Sequence, residues 1–397
     1  MQTLASPNPQ GPLIVSNERE LRDFSTMLAR VRQRFERVAL AHEWLTIPGG
    51  SEKVVLALLD LFPHAAVFTS VYDPTPWPRA ITSRTVVASF LDHVPRAHTV
   101  YPKLLPLMDR AFRSFDLGDY DLVLSSNHAC AKNVRKPDGV PHICYCHTPM
   151  RYAWDPAFFD LEDLDPVARL AYTWLAPRLR RRDRAAAQAP NGPDVVIANS
   201  SSVAERVRRC WGREAEVIHP PVDIARFAPV AHEPEDYYLY LGRLVPYKRA
   251  DLAVAACAVL DRRLKVIGSG RALRAVCAAA GPRTQFLGQV PDDELPALLG
   301  GARALLFPGE EDFGIVPVEA QAAGLPVIAY GAGGVRDTVV DGVTGVLFAE
   351  PTVGGLCSAI RRFDDLHFRD SDLRAQAALF APERFAAQFA RVLDRLP

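Results

Sequence analysis

Short apolar runs alternate with helix-length amphipathic segments along the chain from Val38 onward. In the first half these runs occupy residues 38–42, 65–71, 121–125, 142–146 and 194–198. In the second half they occupy residues 237–241, 264–267, 285–287, 304–307, 327–330 and 346–348. Apolar strands separated by helices are typical of a parallel sheet that helices cover on both faces. The pattern predicts an α/β protein with two doubly wound, Rossmann-like domains.

The two series of strands meet at adjacent prolines. Pro220 and Pro221 can continue neither a helix nor a strand ladder, so we place the hinge between the domains there. Ligands of open α/β sheets bind at the carboxyl edges of the strands, and we therefore expect a ligand cleft between two facing sheets. The predicted units are a tail with a charged, helical extension (1–37), the two domains (38–222 and 223–381) and an amphipathic helix (382–397).

The composition of the chain argues against several classes of protein. The chain has 397 residues, of which 46 are basic and 46 acidic, and this balance argues against a nucleic-acid binder with a cationic surface. Apolar runs stay shorter than about 18 residues, and the first residues lack the pattern of a secretory signal, so we expect neither a membrane span nor secretion. The seven cysteines lack the regular spacing of a disulfide framework, which fits a reducing cytoplasm.

Two glutamates mark the clearest chemical feature. Glu311 and Glu319 flank a predicted strand–loop–helix junction in residues 311–319, EDFGIVPVE. Amides at Phe313, Gly314 and Ile315 would point out of the helix N-terminus, where an anion such as a diphosphate is favoured. Glu319 could accept hydrogen bonds from ribose hydroxyls, and Glu311 could face a sugar ring. The helix dipole alone also favours a glutamate in the first turn.

Two cations follow another predicted strand. Arg243 and Lys248 lie in residues 242–248, GRLVPYK, between a strand and a helix, and both would face the cleft. A fixed guanidinium and an ammonium can stabilise the negative charge that develops on a departing diphosphate. A purely solvated role is disfavoured because the N-terminus of the helix is already positive.

Glycines open two further helices after strands. Gly49 and Gly50 precede Ser51-Glu52-Lys53, and Gly268 follows the strand at 264–267. Such turns let the backbone approach a phosphate, although they also occur for packing alone. We predict that both loops contact a bound sugar nucleotide, the donor of the sugar.

A histidine follows the strand at residues 142–146. His147 could hydrogen-bond a sugar hydroxyl and stabilise a cationic ring, although a histidine satisfied within the core is commoner. Cys144, Cys146 and His147 could be interpreted as metal ligands, but no second ligand pair at zinc spacing follows them. Three D-x-D matches, at Asp119/Asp121, Asp163/Asp165 and Asp370/Asp372, lack a buried strand before them. We therefore expect no metal and no cofactor. Lys132 is a further candidate for the cleft wall.

These segments together resemble glycosyltransferase family 4, a group of retaining enzymes with the GT-B fold. EDFGIVPVE at residues 311–319 is similar to its E-x7-E signature, GRLVPYK at 242–248 to its phosphate clamp, and GGSEK at 49–53 to its first loop. Residues 147–155, HTPMRYAWD, resemble the mannosyltransferase branch that builds bacterial O-antigen and exopolysaccharide repeats.

The resemblance implies a fold, a reaction and partners. It implies that the C-terminal helix returns to the first domain and that the backbone around Val290 meets the nucleobase. Hexose transfer, most simply of mannose from GDP-mannose, would proceed with retention to a glycan or polyprenol-diphosphate-linked acceptor, without a protein nucleophile. The residues implied are catalytic Arg243, Lys248, Glu311 and His147; donor-binding Gly49, Gly50, Gly268, Val290, Asp312, Phe313, Gly314, Ile315 and Glu319; and sugar- or acceptor-contacting Lys132, Arg151, Tyr152 and Trp154.

Three alternatives remain at this point. The same fold could use a UDP-sugar, or it could epimerise a sugar nucleotide without any acceptor. A non-enzymatic scaffold is the third alternative, but it does not account for the charged residues retained in the cleft.

A basic run follows the apolar pair Trp174 and Leu175. It consists of Arg178, Arg180, Arg181, Arg182 and Arg184 on a predicted helix. Cations near a membrane surface attract anionic lipid by about 1 kcal/mol each. One hypothesis is peripheral contact of this run, and of the basic helix before Val38, with the inner face of the plasma membrane; a solvated helical face is the alternative.

Overall fold

The computed structural model describes residues 18–155 and 166–396, and in them the chain forms two parallel sheets. The first sheet has seven strands in the order β3-β2-β1-β4-β5-β6-β7. Its strands are β1 (Val38–His42), β2 (Ala66–Thr69), β3 (Val86–Ala88), β4 (Leu122–Asn127), β5 (His142–Cys146), β6 (Val195–Ala198) and β7 (Glu216–Val217). We call this half of the molecule the first lobe.

The second lobe is built on a six-stranded parallel sheet in the order β10-β9-β8-β11-β12-β13. Its strands are β8 (Tyr238–Leu241), β9 (Leu264–Ile267), β10 (Thr284–Gly288), β11 (Leu305–Phe307), β12 (Val327–Tyr330) and β13 (Gly345–Phe348). In both sheets the strand order reverses beside the first strand, which places a topological switch point at β1/β4 and at β8/β11. The predicted pair of doubly wound sheets is confirmed.

Helices connect successive strands. In the first lobe they are α1 (Glu18–Arg34), α2 (Gly50–Leu61), α3 (Arg79–Thr82), α4 (Ala97–Val100), α5 (Leu105–Arg113), α6 (Arg151–Trp154), α7 (Pro166–Gln188) and α8 (Ser201–Trp211). They continue with α9 (Ala250–Val259), α10 (Leu273–Ala279), α11 (Leu295–Gly300), α12 (Ile315–Ala322), α13 (Val335–Thr338), α14 (Val353–Asp364), α15 (Asp370–Ala377) and α16 (Pro382–Asp394). No helix in the described ranges is long and apolar enough to cross a membrane.

Central strands match the sequence prediction best. Every residue of β1, β4 and β5 is buried, because helices cover both faces of the sheet. The prediction missed β3 and β7, which lie at the two edges of the first sheet. β3 is apolar but only three residues long and partly buried, and β7 has only two residues, so neither forms a run as long as those of the central strands.

The last helix packs on the first lobe. Its Phe385 and Phe389 belong to the apolar core around β1, together with Val31 and Phe35 from the N-terminal region. The charged extension predicted before Val38 contains α1, which contributes buried side chains to this core and lies against α16. The predicted flexible tail before Glu18 lies outside the described residues.

Candidate active site

The segment between the two glutamates joins β11 to α12. Gly314 adopts a left-handed backbone conformation (φ 86°) immediately before the helix, which a residue with a side chain rarely adopts. The helix begins at Ile315. Glu319 is therefore in the second turn of α12, where it is 8% exposed.

Two candidate catalytic groups, Lys248 and Glu311, meet beside the switch point of the second sheet, and Arg243 lies in the same loop as Lys248. Lys248 Nζ lies 2.7 Å from Glu311 Oε1, and these side chains are 13% and 22% exposed. Arg243 Nη2 donates to the Tyr247 hydroxyl at 3.0 Å. Because β8 and β11 are neighbours, their following loops bring these residues together although more than 60 positions separate Arg243 from Glu311.

Beside Arg243, the loops after β8 and β9 contact each other through their backbones. Gly268 has a φ of 134°, and a Cβ there would overlap the carbonyl oxygen of Gly242. Only glycine permits this approach between the loops after β8 and β9. The predicted donor loop at Gly268 thus lies against the loop that carries Arg243. Val290, predicted near the nucleobase, is partly buried after β10.

The glycine loop of the first lobe reaches the second lobe. A Cβ on Gly50 would lie 3.1 Å from Ile315 Cδ1, so the start of α2 faces the start of α12. Lys53, one turn into α2, donates from Nζ to Glu319 Oε1 at 2.9 Å. Sequence reasoning did not single out Lys53, although it ends the quoted GGSEK segment. Gly49, Gly50 and Glu319 are thus brought to one cleft.

Asp312 is the centre of a second cross-lobe contact. Arg151 donates to its Oδ2 from Nε at 3.1 Å and from Nη2 at 2.5 Å, and Arg206 Nη1 donates to its Oδ1 at 2.7 Å. The Ser200 hydroxyl donates to the Asp312 carbonyl at 2.5 Å. Asp312 was predicted to bind the sugar donor and Arg151 to contact the sugar or the acceptor, but in the structure the two side chains bind each other. Arg206 and Ser200 were missed because nothing in their local sequence indicates a partner in the other lobe.

His147 lies within a cluster of imidazoles at the end of β5. Burial, followed by the like charges of His128 and His42, holds the pKa of His147 well below its usual value, so its ring stays neutral. Its Nε2 lies 2.8 Å from the Ser126 hydroxyl oxygen. Burial also raises the pKa of Tyr152, another candidate contact, to about 12.

Lys132 does not lie on the cleft wall, which corrects its prediction as a sugar or acceptor contact. Its side chain is fully buried, with Nζ 2.5 Å from Asp183 Oδ1 and above the ring of Trp211. The indole N–H groups of Trp154 and Trp211 both donate to Asp183 Oδ2 at 2.7 Å. Burial disfavours the ammonium, but the charge of Asp183 and its hydrogen bond outweigh this and raise the pKa of Lys132. Trp154 therefore directs its polar atom into the interior.

The candidate metal ligands do not form a cluster in the part of the chain that the structure describes. No group of three or more potential ligands there could hold a metal ion. Burial raises the pKa of Cys144 to about 12, so this thiol is a poor metal ligand. Among the D-x-D matches, Asp121 pairs with Arg37, Asp370 with Arg374 and Asp372 with Arg369. The match at Asp163/Asp165 lies outside the described residues.

A cavity of about 460 Å³ lies between the lobes beside Asp312. The first lobe contributes Arg151, Trp154 and Arg206 to its lining, and the second lobe contributes Tyr247 and Arg249. The ring of Tyr247 lies 5.5 Å beneath the Arg151 guanidinium. Because Tyr247 also bonds Arg243, this arginine-rich cavity adjoins the predicted phosphate clamp.

Two facing Rossmann-like lobes, with a C-terminal helix packed on the first, define the class of GT-B proteins. Sucrose-phosphate synthase from Thermosynechococcus elongatus has the same fold, with a TM-score of 0.66 and 21% identity over 90% of this chain and 98% of that one. The Anabaena protein HepE in complex with UDP also shares it, with a TM-score of 0.63 and 19% identity over 91% of this chain and 100% of that one.

Two family models match successive parts of the sequence. The model for Glycosyltransferase Family 4 matches residues 48–226, and the model for Glycosyl transferases group 1 matches residues 222–378. The chain belongs to glycosyltransferase family 4.

Curated relatives match part of the sequence. Glycogen synthase of Mycobacterium tuberculosis is 32% identical over 221 residues, which cover 49% of this chain and 50% of that protein. D-inositol 3-phosphate glycosyltransferase of Nocardioides sp. is 27% identical over 332 residues, or 72% of this chain and 69% of that protein. The chain spans about half the length of the first relatives that it matches.

We predict that Lys132→Met lowers the free energy of unfolding by about 3–5 kcal/mol, because it leaves the buried Asp183 carboxylate without its cation. Chemical denaturation monitored by circular dichroism measures this loss. Lys103→Met is the matched control, because Lys103 is exposed and its replacement is expected to change stability by less than about 0.5 kcal/mol. Equal stability of the two variants would contradict the structural role of Lys132.

Proposed function

We propose that the protein is a retaining glycosyltransferase that moves a hexose from a nucleotide sugar to a hydroxyl of a glycan or lipid-linked oligosaccharide. The observation that carries the proposal is the meeting of Lys248, Glu311 and Arg243 at one sheet edge, with Lys53 and Glu319 facing across the cleft. Arginine and lysine suit a diphosphate, and carboxylates suit sugar hydroxyls.

In the proposed reaction the bond between the sugar C1 and the diphosphate oxygen breaks, and the diphosphate leaves with the electron pair. The acceptor hydroxyl oxygen forms the new bond to C1 on the same face, and its proton passes to the departing diphosphate. Arg243 and Lys248 stabilise the charge that develops on this leaving group. The backbone amides at the start of α12 contribute further, because the N-terminus of a helix favours an anion.

The two glutamates have separate roles in this proposal. Glu319 accepts hydrogen bonds from the ribose hydroxyls through its second carboxylate oxygen, while Lys53 holds the first. Glu311, held by Lys248, accepts from hydroxyls of the transferred sugar. Lys53 is in addition a candidate contact for the diphosphate, since it extends from the glycine loop towards α12.

For the donor we propose GDP-mannose, on the strength of the HTPMRYAWD segment at residues 147–155. A UDP-sugar is the second candidate, because the structurally similar HepE has been crystallised with UDP and glucose and with UDP-glucose. Base contacts through the backbone near Val290 leave little trace in side chains, so donor identity needs a direct measurement.

For the acceptor we propose a lipid-linked diphosphate. The cavity beside Asp312 carries Arg206, Arg209 and Arg249 in its lining, and guanidinium groups suit phosphate oxygens. The cavity adjoins Arg243 through Tyr247, which would bring the acceptor end of such a lipid near the transferred sugar.

A screen of donors tests the proposed function. We expect binding and slow hydrolysis of GDP-mannose in preference to UDP-glucose, UDP-galactose and UDP-N-acetylglucosamine, measured by calorimetry and by nucleotide release with and without Mg²⁺. Preference for a UDP-sugar would move the assignment to the second candidate. Conversion of the sugar nucleotide to an epimer without acceptor would indicate an epimerase, and no affinity for any donor would contradict the enzyme.

We predict that Glu319→Ala weakens donor binding by about 10- to 150-fold, because a charge-assisted hydrogen bond contributes about 1.5–3 kcal/mol. Titration calorimetry with the preferred donor measures the change. Glu350→Ala, at an exposed position of the same lobe, is the control and should bind like the parent protein. Unchanged affinity of Glu319→Ala would remove Glu319 from the donor site.

We also propose that one face of α7 rests on an anionic membrane. Leu170, Trp174 and Leu175 are 61%, 66% and 40% exposed there, and Arg181 and Arg182 are exposed on the same helix. Exposed apolar side chains with neighbouring cations fit the boundary between lipid headgroups and acyl chains. The helix packs on α6 and α8, which line the arginine-rich cavity, so a lipid-borne acceptor would approach from this side.

We predict that Arg181→Ser with Arg182→Ser lowers partitioning onto vesicles of phosphatidylglycerol and phosphatidylcholine by roughly 30-fold, since each cation contributes about 1 kcal/mol. Co-sedimentation measures the partitioning, and vesicles of phosphatidylcholine alone provide the uncharged reference. Arg274→Ser with Arg361→Ser, which removes two exposed arginines of the second lobe, is the matched control. Partitioning that is indifferent to anionic lipid would exclude the electrostatic contact.

A further inference from the structure

A continuous chain of hydrogen-bonded side chains runs behind His147. Glu52 Oε1 lies 3.1 Å from His42 Nε2, and His42 Nδ1 lies 3.1 Å from Ser126 Oγ. Ser126 Oγ in turn lies 2.8 Å from His147 Nε2. Glu52, His42 and Ser126 are buried, whereas His147 is partly exposed and ends the chain at the cleft.

The charge state of Glu52, at the buried end, determines which group donates in each of these hydrogen bonds. Burial raises the pKa of Glu52, but the hydrogen bond from His42 and the charges of His42 and His128 outweigh it and lower that pKa to about 2. The carboxylate is therefore ionised above this pH and can only accept, so His42 carries a hydrogen on Nε2. A neutral imidazole with its hydrogen on Nε2 accepts at Nδ1.

The remaining two links follow from the same rule. The Ser126 hydroxyl donates to His42 Nδ1, and its oxygen then accepts from His147 Nε2–H. His147 is thereby left with an unprotonated Nδ1. Its position is further fixed because the His147 backbone N–H donates to the Asn127 carbonyl at 2.8 Å.

We propose that Glu52, acting through His42 and Ser126, holds His147 in the Nε2–H tautomer, so that His147 Nδ1 accepts a hydrogen bond from a hydroxyl of the donor sugar. The inference rests on the proposed function, and it makes Glu52, His42 and Ser126 positioning residues. Protonation of His42 would reverse the link between His42 and Ser126 and the link between Ser126 and His147, and would turn His147 Nδ1 into a donor, so the tautomer of His147 is the decisive observation.

The position of Glu52 adds a second link to the donor site. Glu52 lies in the first turn of α2, immediately before Lys53, which bonds Glu319 across the cleft. One short segment therefore sets both the distant end of the histidine chain and a contact at the proposed ribose site.

The tautomer can be read directly with histidine labelled by ¹⁵N in the full-length protein, using long-range ¹H–¹⁵N correlation spectra. His147→Gln assigns the signals among the ten histidines. In the parent protein we expect His147 to carry its hydrogen on Nε2. A hydrogen on Nδ1 would overturn the proposal, whatever activity the protein shows.

Two variants break the chain, and one matched variant does not. In Ser126→Ala and in Glu52→Gln we expect the Nδ1–H tautomer of His147 to appear. Ser125→Ala is the control, because Ser125 is equally buried in β4 but bonds His142 Nε2 at 2.8 Å, outside the site. Its His147 signals should match those of the parent protein.

Kinetic measurements distinguish a positioning role of Ser126 and Glu52 from an effect of their replacement on folding. We expect kcat/KM for the preferred donor to fall by about tenfold in Ser126→Ala and Glu52→Gln, while affinity for GDP and UDP alone stays unchanged, since one neutral hydrogen bond contributes about 1.4 kcal/mol at most. A parent-like tautomer in both variants would overturn the proposal. If the tautomers are as expected but no sugar is transferred from any donor, the proposed function is wrong, whereas the inferred hydrogen bonds from Glu52 to His147 are retained.

Discussion

The arrangement of the two lobes depends on charges that are paired across the cleft. Asp312 is 17% exposed and receives Arg151 and Arg206, each 15% exposed, from the opposite lobe. Removing one partner of a largely buried ion pair costs several kcal/mol, so these groups strongly favour one relative position of the lobes. Asp312 directly follows Glu311 and precedes α12, and the same contact therefore also fixes the loop that carries the proposed sugar-binding groups.

Ion pairing determines where net positive charge remains in the cleft. Lys248 is neutralised by Glu311 and Lys53 by Glu319, whereas Arg243 bonds the neutral hydroxyl of Tyr247. The net positive charge at this edge is therefore concentrated at the Arg243 guanidinium and the helix N-terminus. That is where the diphosphate leaving group of the proposed reaction would gain most from electrostatic stabilisation.

The central strands and the paired cations could be predicted because their signals are local. A strand covered on both faces, such as β1, is a continuous apolar run, and Arg243, Lys248, Glu311 and Glu319 occur in short recognisable segments. Edge strands such as β7 exist only through their neighbour. Lys132 was misassigned because its partner Asp183 is 51 positions away on α7, and the residues next to Lys132 in the sequence do not indicate that partner.

Buried carboxylates of the first lobe share one physical task. Glu43 accepts four backbone N–H groups from residues 128–131, Asp183 receives Lys132, and Glu52 receives His42. Well-packed apolar residues would often be as stable as such buried charges. What an apolar core cannot do is fix the backbone of a loop and the tautomer of a histidine. The polar interior of the first lobe is therefore best understood as the support that gives one wall of the cleft a single hydrogen-bonding pattern.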